Sequence, residues 1–286
     1  MSFSVEVKEE LINVEPGCPN CTRSCLAAIC RIKGTLYKAG EGRYRLQIRT
    51  DNSKLARFVI KSLREEYLLE TNYSIRESRF HSGTFFYVNI PHQEGLNAFL
   101  QQVGILDKDN KIVRGIPAHL YKNECCGAAY LRGCFLGSGY VSEPTGKFHF
   151  EITVNNKQVA KDMIEILAQK GVEAKVISRG SKYVLYLKKA QAIIDFFAYI
   201  GAHASLLKFE EQRVIKSVAA ESNRLANCEF RNIQKSTEAS FQQIEEIRVV
   251  LDNYNINDLP KGLEEYVRVR TENPELSLAE LGQKLD

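Results

Sequence analysis

Apolar residues recur at helical spacing in Leu26, Ile29 and Cys30, and again in Leu131, Phe135 and Leu136, which predicts a helix at each place. Each run ends at a glycine, Gly34 or Gly139, expected to close the helix in the left-handed conformation that carries no Cβ penalty there. Two strands should follow. The second of each pair alternates clearly, with Leu46 and Ile48 on one side in the first case and Phe148, Phe150, Ile152 and Val154 in the other. A helix opened by asparagine, Asn52 or Asn156, then presents Leu55, Phe58, Val59 and Leu63, or Val159, Met163, Ile166 and Leu167, as its buried stripe. A second hairpin spans Tyr73 to Ile90, and its counterpart Glu173 to Leu187; the turns His81-Ser82-Gly83 and Arg179-Gly180-Ser181 contain the glycine such connections favour. A last helix closes each stretch.

The order is therefore αββαββα, used twice. LRGCFLGSG at Leu131 to Gly139 has a degraded copy, LAAICRIKG, at Leu26 to Gly34, about a hundred residues earlier. Downstream, Ile48 falls on Ile152, Asn52 on Asn156, Ala56 on Ala160 and Leu63 on Leu167 without gaps, and later Phe99 falls on Phe196 and Gly104 on Gly201. The expected fold class is α+β: a first repeat over 1–110 and a second over 111–204, each an antiparallel sheet with helices on one face. The other faces could join into one long concavity. Arg43, Arg45, Gln47 and Arg49 alternate with the apolar positions of the first repeat, and Lys147, His149, Glu151 and Thr153 with those of the second. These side chains either line a surface fit for duplex DNA or form the solvated face of an open sheet.

After Ala204 the strand signals stop. Leu206 to Leu251 has no proline and nearly continuous helical periodicity, read as two long helices broken near Asn227 to Arg231, with 205–253 as a helical extension. Asn223, Arg224, Asn227 and Glu229 at that break would cap the two helix ends or meet a phosphate or a partner. Tyr254 to Asp258 reads as a linker. Pro260 opens a helix through Val269, Asn273-Pro274 interrupts, and Ser277 caps a short helix, LAELGQKL. These last elements, 259–286, read as the opening of a helix-turn-helix that stops at Asp286, where a recognition helix should begin, as in a truncated chain.

Charge sharpens this division. The net charge is +4, but from Ser205 onward there are 11 basic and 15 acidic residues, leaving 28 and 20 before it. The duplicated part is the basic part, which suits a polyanion. The amino terminus, MSFSVEVKEELINV, breaks its apolar pattern with charges, so it is not a signal peptide. No apolar run reaches a membrane span, and a cytoplasmic, nucleoid-associated protein is expected. Its eight cysteines are then expected to be thiols.

LRGCFLGSG and LAAICRIKG resemble the paired LAGLIDADG motifs of homing endonucleases. At the third motif position stand Gly133 and Ala28, small residues that with Gly137 allow close packing of two helices between repeats. In active nucleases of that family the eighth position is an aspartate that binds a divalent metal; here it is Lys33 in one copy and Ser138 in the other. An ammonium repels the ion, and phosphodiester hydrolysis needs converging anionic oxygens. Nothing in the spacing of Glu41 and Glu143 favours their substituting. No Ser/His/Asp spacing or phosphate-binding glycine loop appears, and His119, His149 and His203 are isolated. No enzyme activity and no small-molecule substrate are expected.

The segments ECCGAAYLRGCFLGSG, IGAHASLLKFEEQRVIKSV and NRLANCEFRNIQKS, beside the degenerate motif pair and the partial helix-turn-helix, resemble the WhiA family of bacterial sporulation and cell-division regulators. The resemblance implies a transcriptional regulator in cell division, chromosome segregation or sporulation that binds double-stranded DNA on a retired endonuclease scaffold. Its helix-turn-helix residues would be Ser277, Leu278, Glu280, Leu281 and Lys284, with Arg43, Arg45, Arg49 and Lys147 as weaker contacts on the saddle. The alternative is a protein-interaction scaffold that docks another transcription regulator or a division component. An acidic or apolar concavity would speak against DNA there.

The cysteines pose one further question. Cys18 and Cys21 have the spacing of a zinc knuckle, and Cys25 and Cys30 follow. Cys25 and Cys30 lie about 140° apart around a helix, so both cannot easily reach one ion. With Cys125 and Cys126 in a comparable place before the second motif, the expectation is small packing residues at helix entrances, with no metal and no cofactor.

Overall fold

The computed structural model describes residues 2–40, 42–77 and 83–285. The chain divides into two compact units, Met1–Val214 and Ile215–Asp286.

In the first unit, α1 (Phe3–Ile12) precedes the repeats. The pattern reading had no place for it, although Phe3, Val7 and Leu11, four residues apart, are all buried. The first repeat then runs α2 (Cys21–Lys33), β1 (Gly34–Lys38), β2 (Tyr44–Thr50), α3 (Ser53–Tyr67), β3 (Asn72–Glu77), β4 (Thr84–Ile90) and α4 (Leu96–Gln102). The second runs α5 (Glu124–Ser138), β5 (Gly139–Val141), β6 (Phe150–Val154), α6 (Lys157–Ala168), β7 (Lys175–Arg179), β8 (Lys182–Leu187) and α7 (Ala190–Ile200). Each repeat builds an antiparallel sheet, in the orders β1-β2-β4-β3 and β5-β6-β8-β7. The two asparagines cap as expected: Asn52 Oδ1 accepts from the Leu55 N–H, and Asn156 Oδ1 from those of Gln158 and Val159. Gly180, at φ +61°, starts the two-residue turn joining Arg179 to Lys182; His81 and Ser82 of the other turn lie outside the described residues.

Two local expectations fail for physical reasons. Gly34 and Gly139 are extended, at φ −82° and −69°, not left-handed. Each motif helix passes directly into an edge strand, so the glycine is needed for room. A Cβ on Gly34 would fall 2.1 Å from the Cys30 carbonyl oxygen, and one on Gly139 2.3 Å from the Phe135 ring. The left-handed position appears instead after α3, on Leu68, at φ 55° and 86% exposed. A branched side chain there is strained and buries nothing. Leu68→Gly is therefore expected to raise the urea midpoint, by about 1 kcal/mol of stability; a lower midpoint would show that the Leu68 side chain makes stabilising contacts.

The repeats meet along α2 and α5. On the α2 side Leu26, Ala27, Ala28 and Ile29 are fully buried, and on the α5 side Tyr130, Leu131, Cys134 and Phe135 are. The second repeat is filled by aromatic rings: Phe135, Phe150, Phe196 and Phe197 pack with centroids 4.7–6.4 Å apart. Phe209, from the start of α8 (His203–Asn253), closes this cluster at 4.8 Å from Phe148 and 6.0 Å from Phe197. Glu10 accepts from the Ala204 and Ser205 N–H groups, satisfying donors in the first turn of α8.

The expected break near Asn227 to Arg231 does not occur, because α8 is one helix of 51 residues. It contains neither glycine nor proline, and the lower helix propensity of asparagine costs only tenths of a kcal/mol, ~0.7 at most, too little to interrupt it. Asn223, Arg224, Asn227 and Glu229 therefore cap no helix end; they are exposed along its length.

In the second unit, α9 (Lys261–Glu272) and α10 (Leu278–Leu285) follow α8 after a short 3₁₀ turn, Ile256–Asp258. Its small core holds Ile247, Val267, Leu281 and the stem of Arg270, whose guanidinium donates to the Leu276 carbonyl. The Ser240 hydroxyl donates to the Pro274 carbonyl. Among the described residues, no helix is long and apolar enough to cross a membrane.

Candidate nucleic-acid interface

Strand alternation decides which side chains leave the helix-covered face of each sheet. In β2, Tyr44, Leu46, Ile48 and Thr50 are buried, so Arg45, Gln47 and Arg49 point the other way. The pairing of β2 with β4 sets Asn89 beside Gln47 and Tyr87 beside Arg49, and β3 adds Ser74 opposite Tyr87 and Arg76 opposite Phe85. The outward face thus carries three arginines among aromatic rings. The Arg45 guanidinium lies 4.7 Å from the Tyr37 ring centre, Arg49 4.0 Å from Phe85, and Arg76 5.1 Å from Tyr87. Such stacking orients a guanidinium while leaving its edge for an anion. Between the arginines, the Tyr37 hydroxyl donates to Gln47 at 3.3 Å and Gln47 donates to Asn89 at 2.6 Å. None of the described strand positions on this face is acidic.

The equivalent face of the second sheet carries Lys175, Arg179 and Lys182 and one carboxylate, Glu151. That carboxylate is engaged by His149 at 3.2 Å and Arg179 at 3.4 Å. Arg43 and Lys147 are exposed too, but both sit in hairpin connections just before β2 and β6. The sequence reading names Arg45 and Arg49 on these outward faces and does not name Arg76, Phe85, Tyr87, Lys175, Arg179 or Lys182, which the strand pairing places there as well. The alternation in β3, β4 and β7 carries that signal, whereas the turns of the second hairpins do not.

Lys33 ends α2 and Ser138 ends α5. The Ser138 hydroxyl donates to the Thr153 carbonyl at 2.6 Å, which commits it to strand β6. Lys33 is half-buried, and its ammonium is destabilised first by desolvation, against attraction from Asp51, and then by Arg49 of one sheet and Lys182 of the other. Lys8, close enough to feel Lys33, is pushed down to about 8, mainly by burial. Lys33 and Lys8, with Arg49 and Lys182 near Lys33, thus form a basic centre that holds one carboxylate, Asp51. Glu143 accepts from the Phe3 N–H at 2.7 Å, and Glu41 lies outside the described residues.

Gly133 and Gly137 of α5 face α2. A Cβ on Gly133 would stand 2.9 Å from the Ala28 Cβ, and one on Gly137 3.0 Å from Ile32. The cysteines group differently from the sequence reading. Cys25 and Cys30 are buried within α2, and burial pushes both thiols up to about 12, so they pack as neutral groups. Cys18 and Cys21 instead meet Cys125 and Cys126.

In the second unit, Ser277 and Glu280 engage one another: the carboxylate accepts from the Ser277 N–H and hydroxyl at 2.8 and 2.7 Å, a capping box at the start of α10. Those bonds hold the Glu280 carboxyl below its usual range. Lys284 donates to Asn273 at 2.6 Å, and Leu278 is exposed. Leu281, expected as a DNA contact, is 1% exposed. It is a core residue, because the apolar stripe of so short a helix is consumed in anchoring it.

The sequence matches the WhiA N-terminal LAGLIDADG-like domain over residues 19–106, the WhiA LAGLIDADG-like domain over 127–219 and the WhiA C-terminal HTH domain over 222–286. A protein of Heliobacterium modesticaldum called "Probable cell division protein WhiA" is 36% identical over all of this chain and 90% of its own length. One of Desulfitobacterium hafniense with the same name is 37% identical over the whole chain and 89% of its own length. The crystal structure of full-length WhiA from Thermatoga maritima superposes with a TM-score of 0.65 at 22% identity, over 100% of this chain and 92% of that one.

Proposed function

We propose, because this chain belongs to the WhiA family, that it is a DNA-binding transcriptional regulator of cell division built on an endonuclease scaffold without nuclease chemistry. The observation that carries this reading is the outward face of the first sheet, with Arg45, Arg49 and Arg76 each held on an aromatic ring. Together with the basic face of the second sheet it forms a saddle for the phosphate backbone of duplex DNA. Phosphate contacts of this kind position a protein on DNA, whereas sequence choice needs base-edge contacts. Those fall to the helix-turn-helix region, where exposed Leu278 and the α10 surface near Lys284 are the nearest candidates. Repeats 1–110 and 111–204 would thus supply affinity, and 259–286 selectivity.

The test is binding of the chain to labelled duplex DNA across a salt and pH series with magnesium present. Expected are uncut DNA and an affinity that falls steeply with salt. A phosphate near Lys33 and Lys8 favours their protonated forms, so the complex holds more protons than the free protein. Affinity should therefore fall as pH rises through about 8, the free-state value of Lys8. Cleaved DNA, or binding insensitive to salt, would sink the reading. The second reading, docking of another protein, is favoured by Leu225, Phe230, Ile233 and Phe241, all 64–67% exposed on α8; it takes the lead if the chain does not bind DNA at any salt concentration.

A further inference from the structure

Cys18, Cys21, Cys125 and Cys126 place their four sulfur atoms within 4.8 Å of one another. Two come from the entry to α2, Cys18 in the preceding loop and Cys21 as the first helical residue, and two from the first turn of α5, so the pairs belong to different repeats. Gly17 lets the loop lie this close: a Cβ there would stand 3.1 Å from the Cys125 Cβ. The Cys18 sulfur is 3.5 Å from that of Cys21 and 3.5 Å from that of Cys126.

We propose that these four cysteines form a structural zinc site that clamps the two repeats together. A tetrahedral ion with Zn–S bonds of about 2.3 Å needs sulfurs about 3.8 Å apart, and the cluster brackets that spacing. A disulfide has an S–S bond of about 2.05 Å, and it would join two of these groups and strand the others. An iron–sulfur cluster spreads its four thiolates around several atoms, whereas this set surrounds a single ion. The all-sulfur donor set selects a soft or borderline metal over magnesium or calcium.

Burial pushes the Cys21 and Cys126 thiols up, to about 12 and about 11, while the local backbone acts in the other direction at the same place. Cys21 is the first residue of α2, and Cys125 and Cys126 lie in the first turn of α5, so the positive ends of two helices converge on the sulfurs. The Asn20 N–H also donates to the Cys18 sulfur. Zinc binding converts thiols to thiolates and releases their protons to solvent. The site lies at the opposite end of α2 from Lys33, about 18 Å along the helix at 1.5 Å per residue. It is therefore a clamp behind the basic faces and takes no part in contacting DNA there.

The experiment is metal analysis of the full chain purified under reducing conditions without chelator, followed by cobalt substitution. Expected are about one zinc per chain and, with Co²⁺, the intense visible bands and sulfur-to-cobalt charge transfer of a tetrahedral thiolate site, bleached by added zinc. C18S and C126S should each weaken zinc binding more than about 100-fold, because each deletes a ligand rather than a supporting contact. C228S, at an exposed cysteine of α8, should leave the cobalt spectrum unchanged. Should C18S or C126S fail to fold, the cobalt spectrum of the unaltered chain still decides. A fully reduced chain with neither zinc nor a thiolate–cobalt spectrum overturns the proposal. So does iron in place of zinc, or a native disulfide between Cys18 and Cys126.

Discussion

Gly133→Val is expected to cost more than about 4 kcal/mol and to leave little folded protein at 37 °C, the range reached when a closely packed core is forced apart. A Cβ at this position would lie 2.4 Å from the Cys25 carbonyl oxygen and 2.9 Å from the Ala28 Cβ. One obstacle is backbone and the other the base of a side chain, so neither can swing aside. The helices must separate, and the contacts of Leu26, Ala28, Ile29, Cys134 and Phe135, all buried, weaken together because close-packed interiors do not deform locally. Gly282→Ala provides the opposite sign. Nothing lies within 4 Å of a Cβ there, and alanine in place of glycine in helix α10 should stabilise it by up to about 1 kcal/mol. Urea denaturation of the two variants beside the parent tests the pair; a Gly133→Val midpoint equal to the parent's would show that α2 and α5 do not approach this closely in solution.

Combined replacement of Arg45, Arg49 and Arg76 by alanine is expected to weaken DNA binding several hundred-fold at about 0.1 M salt, since each lost phosphate contact removes ~0.9 log units per decade of salt. The slope of log affinity against log salt should become shallower by about 2.7 for the same reason. The three side chains are exposed or half-buried on the outward face, so folding, followed by circular dichroism and urea midpoint, should change little. Replacement by lysine separates charge from stacking. The salt slope should then persist while affinity falls modestly, because an ammonium lacks the planar fork that rests on Tyr37, Phe85 and Tyr87. An unchanged slope in the alanine variant would move the phosphate contacts away from this sheet.

Much of the fold was legible because its signals are local and repeated. The alternation of Leu46 and Ile48, and of Phe150, Ile152 and Val154, reports the pleat directly. Asn52 and Asn156 announce helix starts because their side chains satisfy backbone donors the helix leaves free. The outward placement of Arg45 and Arg49 was visible by the same period of two. Arg76 and the aromatic partners were not, because they come beside Arg45 and Arg49 only through the pairing of β1 with β2, of β4 with β2 and of β3 with β4. The expected break in α8 overweighted polar residues in a segment with no glycine or proline to enforce one. Leu281 was misread because exposure of a single helix turn depends on which neighbour covers it.

By itself, the sequence determined the duplication, the αββαββα order, the basic excess of the repeats and the placing of Lys33 and Ser138 at the same position of the two motif copies. Each of these is a property of residue type and spacing along one stretch of chain. Only the tertiary structure decided which distant groups meet. It turned Gly34 and Gly139 from helix terminators into spacing residues, set Gly133 against Ala28, and laid three arginines on three rings. It also sorted eight cysteines into buried packing groups, one exposed thiol and a four-sulfur cluster that crosses the repeats. The physical reason is the same in each case: contact depends on helix approach and strand register, and both are fixed by burial summed over whole elements rather than by any local pattern.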